Sequence, residues 1–402
     1  MRLVLLLCLL LSVTACIKTG KKEYPKLETL DARAMVDPLW VAKVGEKSER
    51  QHRQLSVAVT SERVYAASEK GKIMALQQMD GKVIWANAIV DSISSGPVVD
   101  DNLLYVGTID AHVFALDTES GTIVWQGDVS SEVLADPVVG DNLVYIQTID
   151  GKLAALDKKT GKKVWSDARE VPALTLRGTS SPVVVQDKVI AGFANGKLVA
   201  LQKDTGKRVW EAVIGLPSGR TDLQRMVDID GLLQVDGDEV YAVTYQGRIA
   251  AVSVENGRTI WTRDMSSYSG VTMDSTQLYV TDATGHVWAL DRRSGATIWR
   301  QDALQERDVS APVVIANAVV VADGAGFVHW LAKEDGAFMA RNDLRKVYDW
   351  AYYDWGDDKR EELDFGVSST LSAVNGKLYV RNNMGALSVF QLSNAQWPNS
   401  LN

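Results

Sequence analysis

Short runs of apolar residues alternate with turn-forming residues along most of this chain. The pattern is clearest over residues 135–165, where four apolar runs are separated by Gly-Asp-Asn, Asp-Gly and Thr-Gly turns. Glycine, asparagine and aspartate adopt the positive φ angles that tight hairpins require. The pattern therefore predicts a meander of four short antiparallel strands.

The same unit recurs, and most copies close with an ending of the type Ala-x-Asp-x-x-Thr-Gly-x-x-x-Trp. Tryptophan ends the copies at Trp40, Trp85, Trp125, Trp165, Trp210, Trp261 and Trp299. A four-stranded repeat with a period of about 40 to 50 residues is typical of a β-propeller. We expect each ring to pack against the neighbouring sheet as a structural group and not as part of a ligand cage. A later copy departs from the pattern, since Phe338-Met339-Ala340 stands where the tryptophan belongs.

The two ends of the chain each supply part of one repeat. Residues 37–40 resemble the end of a copy without a beginning, whereas residues 372–390 form three strands without a tryptophan ending. We predict that residues 39–44 complete the last blade, which closes the ring and removes an open sheet edge. The predicted fold class is an all-β, eight-bladed propeller of four-stranded antiparallel blades. Its blades lie at residues 57–85, 95–125, 135–165, 180–210, 232–261, 270–299, 310–340, and 369–390 plus 39–44.

The first sixteen residues resemble a bacterial lipoprotein signal. Arg2 supplies a positive charge, and residues 3–11 form an apolar stretch too short to span a bilayer. The sequence Val-Thr-Ala-Cys that ends at Cys16 resembles a lipobox, whose cysteine becomes acylated after cleavage. We expect residues 1–15 to be a cleaved signal peptide and Cys16 to carry palmitate and the diacyl group. The alternative is an ordinary signal peptide in which Cys16 is incidental.

Several acyl chains would anchor the protein stably, because each buried CH₂ contributes ~0.8 kcal/mol. Ile17 stands where an aspartate would resemble an inner-membrane retention signal, so the expected location is the periplasmic face of the outer membrane. Residues 16–37 are predicted to form a polar, flexible tether. Residues 38–392 are assigned to the propeller and residues 393–402 to a C-terminal tail.

Charge and chemistry limit the possible functions. The net charge is −8 at pH 7, which disfavours nucleic-acid binding because such proteins show a basic face. Both cysteines lie in the first sixteen residues, so the mature chain is predicted to have no disulfide. The four histidines are scattered, without metal-ligand spacing, and we find neither a nucleophile–base constellation nor a phosphate loop. The sequence therefore predicts no catalytic residue, no metal and no cofactor.

Two long interblade connections flank the fourth blade. They are residues 166–181, the first long loop, and residues 211–231, the second long loop. In a four-stranded meander, interblade connections share one face of the disc, the loop face, with the turns between second and third strands. Both loops open on this face on either side of the fourth blade, so they are expected to form a single surface. Binding residues concentrate on long loops of a rigid scaffold, so this surface is the candidate binding site.

Apolar and charged side chains are mixed in these loops. We expect Leu174, Leu176 and Met226 to be exposed next to Arg177, a mixture that suits a protein interface. The alternative is that the first long loop buries its leucines beneath its own backbone.

Asp228 and Asp230 in the second long loop have a plainer interpretation, which is that they are solvated turn residues. A calcium site is disfavoured, because Asp-x-Asp supplies too few oxygen ligands.

The repeat ending resembles that of pyrroloquinoline-quinone enzymes and their non-enzymatic relatives. With the lipobox, the eight blades, the Leu-x-Leu-Arg-Gly-x-Ser-x-Pro stretch from Leu174 and the acidic loop at residues 222–230, the chain is similar to the BamB family. These are propeller lipoproteins of the outer-membrane β-barrel assembly machinery. The resemblance, which covers essentially the mature chain, implies a scaffold that contacts a POTRA domain of the central barrel protein, beside other lipoproteins of the machinery. By motif, the contact residues are Leu174, Leu176, Arg177, Asp228 and Asp230.

Other functions stay open at this stage. A quinoprotein dehydrogenase would need calcium ligands around the central axis and a general base near the quinone. A periplasmic glycan-binding propeller is a further alternative. A scaffold would in addition be able to receive unfolded barrel precursors at exposed strand edges by β-augmentation.

An insertion at about residues 341–366 departs from the pattern of the BamB family. Residues 348–355 interleave aromatic with acidic side chains, and a charged run follows them. This mixture suits a peptide or protein contact and would repel nucleic acid. The alternative is a loop that packs its own aromatic residues over the mouth of the central channel.

Overall fold

The computed structural model describes residues 22–47, 55–172, 174–176, 178–351 and 363–393, without the side chains of 349–351. These residues form eight four-stranded sheets. Every pairing within a sheet is antiparallel, and the sheets follow one another around a ring as the blades of a propeller. The predicted fold class is confirmed.

Blades one to seven are meanders that run from an inner to an outer strand, and in blade eight the outermost strand comes from the N-terminal part of the chain. Blades one to four contain β2 (Val57–Val59), β3 (Arg63–Ala67), β4 (Lys72–Gln77), β5 (Val83–Ala88), β6 (Val98–Asp100), β7 (Leu103–Gly107), β8 (His112–Asp117), β9 (Ile123–Asp128), β10 (Val138–Val139), β11 (Leu143–Thr148), β12 (Lys152–Asp157), β13 (Lys163–Ala168), β14 (Val183–Val185), β15 (Lys188–Gly192), β16 (Lys197–Gln202) and β17 (Arg208–Val213). Blades five to seven contain β18 (Gln234–Asp236), β19 (Glu239–Val243), β20 (Arg248–Ser253), β21 (Thr259–Asp264), β22 (Val271–Met273), β23 (Gln277–Thr281), β24 (Val287–Asp291), β25 (Thr297–Gln301), β26 (Val313–Ile315), β27 (Ala318–Ala322), β28 (Phe327–Ala332) and β29 (Phe338–Asp343). Blade eight contains β30 (Ser372–Val374), β31 (Lys377–Arg381), β32 (Ala386–Leu392) and β1 (Val36–Lys43).

The two ends of the chain close the ring. β1 pairs antiparallel with β32, from Val36 opposite Leu392 to Lys43 opposite Ala386. The N-terminal strand is therefore the outer strand of blade eight, as predicted. It begins at Val36, three residues before the predicted start at residue 39, because the chain is already extended along β32 there.

Tryptophans on the outer strands lock neighbouring blades together. The ring of Trp85 lies over Gly121 in the next blade, and its indole N–H donates to the carbonyl of Thr118 at 3.0 Å. The same contact joins Trp40 to Gly81, Trp125 to Gly161, Trp165 to Gly206, Trp210 to Gly257, Trp261 to Gly295 and Trp299 to Gly336. The expected packing of each tryptophan against the neighbouring sheet is confirmed.

Blade seven exchanges the two residues of this pattern. In blade six, Ala289 on the third strand opposes Trp299 on the fourth, whereas in blade seven Trp330 opposes Ala340. Trp330 is buried and donates its indole N–H to Oδ1 of Asn342 at 2.9 Å. No hairpin joins the third and fourth strands of blade eight, because they come from opposite ends of the chain. A tryptophan on the outer strand of blade seven would therefore have no turn to pack against.

The segment that precedes β1 lies against blade seven. The backbone N–H groups of Arg33 and Ala34 both donate to the carbonyl of Met339, at 2.8 and 3.1 Å. Farther upstream, Nζ of Lys22 lies 2.6 Å from Oδ1 of Asp308 and forms an ion pair with it. We call residues 22–35 the N-terminal strap. Sequence patterning predicts this segment as part of a free tether, but the strap is held on the propeller because its backbone finds partners there.

The insertion after blade seven begins as a helix, α1 (Leu344–Ala351). Leu344 and Val347 are buried between blades seven and eight, and the ring of Tyr348 packs edge-on against Phe365 at 5.6 Å. The side chain of Trp350 and all residues of 352–362 lie outside what the structure describes, so the role of these aromatic residues stays a prediction. Among the helices that the structure describes, none is long and apolar enough to cross a membrane.

Candidate partner-binding surface

The two long loops meet on the loop face beside blade four. The backbone N–H of Leu176, in the first long loop, donates to Oδ2 of Asp228 in the second. Two residues later, Gly178 faces Asp230, whose Cγ would lie 3.0 Å from a Cβ at that glycine. Four of the predicted site positions therefore belong to one surface or its immediate support: Leu174, Leu176, Asp228 and Asp230. Arg177 and Cys16 lie outside the described residues.

Asp228 is the support beneath this contact. Its side chain is fully buried, and Oδ1 has no hydrogen-bond partner among the described residues. Burial raises the pKa of Asp228 to about 6, although hydrogen bonds from the N–H groups of Leu176 and Val227 favour the carboxylate. Its own carbonyl accepts the N–H of Tyr245 at 2.9 Å, which ties the second long loop to blade five.

Asp230 shares this environment. It is half-buried, and within the described part of the chain its Oδ2 also has no partner. Burial raises the pKa of Asp230 well above its usual value, and the nearby charge of Asp228 raises it further. The interpretation of these two residues as solvated turn carboxylates is therefore wrong: the loops fold over both side chains. Two desolvated carboxylates this close favour a state in which at least one is protonated.

The exposed apolar residues differ in part from those predicted. Leu174 is 42% exposed as expected, and Leu176 is half-buried. Met226 is only 6% exposed, so its predicted exposure is wrong. The second long loop turns inward from Met226 and buries Ile229 against Gly192, where a Cβ would lie 2.3 Å from Ile229 Cγ2.

Sequence reasoning missed two exposed leucines on the second long loop. Leu216 is 75% exposed and Leu223 is 60% exposed. Leu223 begins a short 3-10 helix (Leu223–Arg225) and its carbonyl accepts Nε2 of Gln246 at 3.2 Å, so this leucine stands on a fixed backbone. The sequence does contain a signal for each of these leucines, because each is an isolated apolar residue in a loop rich in glycine and polar residues.

The side chains that could bind a metal ion do not form a cluster in the described part of the chain. Across the described ranges, no group of three or more His, Cys, Asp or Glu residues is placed to hold a metal ion. The surface combines exposed leucines with a buried carboxylate support, an arrangement that suits a protein interface.

Comparison with known proteins identifies a family that this chain resembles. A family model described as outer membrane protein assembly factor BamB matches residues 69–301. A protein named outer membrane protein assembly factor BamB from Pseudomonas aeruginosa is 42% identical over 338 residues, which cover 84% of this chain and 89% of that protein.

Solved structures agree on the architecture. The crystal structure of BamB from Moraxella catarrhalis matches with a TM-score of 0.77 and 26% identity, covering 89% of this chain and 100% of that chain. A quinohemoprotein alcohol dehydrogenase from Comamonas testosteroni matches with a TM-score of 0.67 and 13% identity, covering 91% of this chain and 78% of that chain. At 13% identity the second likeness shows the fold alone.

Proposed function

This chain belongs to the BamB family of outer membrane protein assembly factors, and from this premise we propose that it is a non-enzymatic scaffold subunit of the assembly machinery. In this proposal lipid on Cys16 holds the propeller at the periplasmic face of the outer membrane. The two long loops bind the POTRA region of the central barrel protein, and other lipoproteins of the machinery are further partners. The complex then aids the folding and insertion of β-barrel proteins.

The observation that carries this proposal is the hydrogen bond from Leu176 to Asp228. It joins two loops that are separated in sequence, so that Leu174 and the exposed leucines of the second long loop are presented by one connected backbone. Such preorganisation favours association, because fewer side chains and loops must be ordered on binding.

The site residues then have different roles. Leu174 is exposed and suited to direct contact, whereas Asp228 is buried and acts as a positioning residue beneath Leu176. Asp230 lies under Gly178 and supports the same turn. Arg177, which precedes that glycine in the sequence, is proposed as a charged contact, since arginine is enriched in interface hot spots.

A binding measurement tests the proposal. The soluble domain from Lys18 onward and the POTRA region of the same organism would be titrated by calorimetry, with Leu174→Ala/Leu176→Ala and Asp228→Ala as variants. We expect about tenfold weaker binding for each, which corresponds to ~1.4 kcal/mol. Ile298→Ala is the matched control, because Ile298 is 44% exposed but lies on the outer strand of blade six. Binding that survives both loop variants, or that is lost in the control, would contradict this interface.

Unfolded barrel precursors are a further proposed partner. The outer strands of blades one, two and three expose β-branched residues at Val83, Ile123 and Val164, beside a sheet edge that is open to an added strand. Crosslinking of the purified domain to a precursor in the absence of the central barrel protein would test this clause, and no crosslink would remove it.

A further inference from the structure

Two arginines hold the backbone of the N-terminal strap: Arg307, in the connection between β25 and β26, and Arg341, on β29. Arg307 donates Nε and Nη2 to Oδ2 of Asp323, both at 2.7 Å, and its Nη1 to the carbonyl of Pro25. Arg341 donates Nη1 to the carbonyl of Glu28 at 2.9 Å. Because carbonyls of the strap are the acceptors, these two hydrogen bonds fix the path of its backbone and do not select particular side chains.

The arginines belong to a buried polar cluster that the strap completes. Asp323 and His329 are fully buried, with 3.0 Å between Oδ2 and Nε2. Nε of Arg341 donates to Nδ1 of His329 at 3.3 Å, so the imidazole is neutral and carries its proton on Nε2. Without the strap, one guanidinium N–H of Arg307 and one of Arg341 would lose their acceptors, which is unfavourable for each group that stays buried.

Side chains of the strap add apolar contacts. Tyr24, Leu27 and Leu30 are half-buried, whereas the residues between them are exposed. Leu27 packs on the apolar cluster between blades six and seven, and the guanidinium of Arg307 lies 5.8 Å from the ring centroid of Tyr24. This repeat of three, in which Tyr24, Leu27 and Leu30 are half-buried, indicates that residues 24–30 are docked on the propeller.

The strap follows a defined path from one face of the disc to the other. It starts on the loop face, where Lys22 and Tyr24 contact Asp308 in the connection between β25 and β26. It ends at Met339, near the start of β29. None of the six residues of β29 is exposed, whereas β5 exposes four of its six. The strap therefore covers the outer edge of blade seven.

We propose that this strap orients the propeller on the membrane, with the blade-seven sector of the loop face nearest the lipid. The inference rests on the proposed acylation of Cys16. Six residues lead from Cys16 to Lys22, a stretch of at most about 20 Å when fully extended. A tether that stayed free as far as Val36 would reach about 70 Å and would leave either face turned to the lipid. The docked strap also keeps the two long loops, which open on the same face, on the membrane side of the disc.

Fluorescence distances on the full acylated chain test the proposal. The chain would be placed on vesicles of phosphatidylethanolamine and phosphatidylglycerol that carry headgroup acceptors. The donor would sit on Gln305→Cys, on the loop face, or on Glu334→Cys, in the turn on the opposite face of blade seven. No cysteine follows Cys16, so each label is unique. We expect the Gln305 probe to lie nearer the headgroups by about 20 Å, the length of a strand.

A matched pair of strap variants isolates the cause. Tyr24→Ala/Leu27→Ala/Leu30→Ala removes the inward side chains, and Glu23→Ala/Lys26→Ala/Thr29→Ala removes exposed neighbours. We expect the first variant to speed hydrogen exchange of the Arg33 and Ala34 amides and to abolish the distance difference. The second variant should change neither quantity.

Three outcomes would overturn the proposal. Equal distances for the two probes in the wild type, or a difference that persists once the strap exchanges freely, would remove the role of the strap. A chain that carries no acyl group by mass spectrometry and does not float with the vesicles would remove its premise. Binding to the POTRA region is measured without vesicles, so failure of the proposed interface is recognised separately.

Discussion

Trp85 on the outer strand of blade one covers Gly121 in the blade that follows. A Cβ at Gly121 would lie 2.6 Å from Cε3 of the indole, and the glycine has a φ of +70°. Two demands therefore meet at one residue, since the turn requires a left-handed backbone and the ring requires the absence of a side chain. Because the contact recurs between successive blades, the ring is held by a series of equivalent links.

Gly121→Ala is expected to lower stability by about 2–4 kcal/mol, through backbone strain and overpacking together. Gly376→Ala is the matched control, because Gly376 has a φ of +72° but nothing within 4 Å of its Cβ position. The control should cost only the strain, about 1 kcal/mol. Urea midpoints of the two variants provide the comparison, and equal losses would show that the indole contact adds nothing.

Asp228 gives the fold a pH dependence that is unusual for a carboxylate. Its folded-state pKa is about 6, above the value of about 3.9 in an unfolded chain. The folded state therefore holds the proton more tightly, and the contribution to stability is fully present below about pH 4. It is lost as the pH rises towards 6, because the unfolded state releases its proton first.

Asp228→Asn removes this titration and keeps an oxygen acceptor for Leu176. Relative to wild type, the variant should therefore gain on the order of 2 kcal/mol between pH 4 and pH 7. The charge of Asp228 also raises the pKa of Asp230, so the measured change belongs to the pair. Urea unfolding of both proteins across this range measures the difference, and a difference that is independent of pH would contradict the assigned burial.

Much of the fold could be predicted because the repeat carries its own turn chemistry. The Asp-Gly and Thr-Gly pairs mark hairpins, and Trp40 marked the N-terminal strand that closes the ring. The exchange of Trp330 and Ala340 could be predicted only in part. The sequence shows that the repeat ending of blade seven lacks its tryptophan, but it does not show that Trp330 on β28 takes over the packing. That contact depends on strand register, which periodicity alone does not specify.

The candidate site could be predicted less completely. The position of the two long loops follows from blade counting, but Asp228 is held by a contact between loops about fifty residues apart in sequence. The strap is polar in composition, and its short repeat of three, Tyr24, Leu27 and Leu30, matches neither a helix nor a strand, so the sequence favours a tether. Its docking depends on Arg307 and Arg341, which are distant in sequence and bind carbonyls that every residue possesses.

The buried charges under the strap should be far more important for stability than its exposed ion pair. Arg307→Ala leaves the carboxylate of Asp323 in the interior without its cationic partner, for which we expect a loss of about 3–5 kcal/mol. Lys22→Ala removes only a pair whose side chains are 53% and 49% exposed, with an expected change of at most about 1 kcal/mol. Urea unfolding of the two variants measures both losses, and similar values would contradict the buried cluster as an element of stability.

Trp330 allows a test of why blade seven lacks the tryptophan of the other blades. Trp330→Ala should cost about 3–5 kcal/mol, because it empties a fully buried site and removes the bond to Asn342. Trp330→Ala/Ala340→Trp restores the arrangement found in blade six. We expect this double variant to recover little of the loss in urea unfolding, since β32 and β1 are not joined by a turn that would receive the ring and its N–H. Full recovery would show that the pair is merely interchangeable, and that ring closure does not explain the exchange.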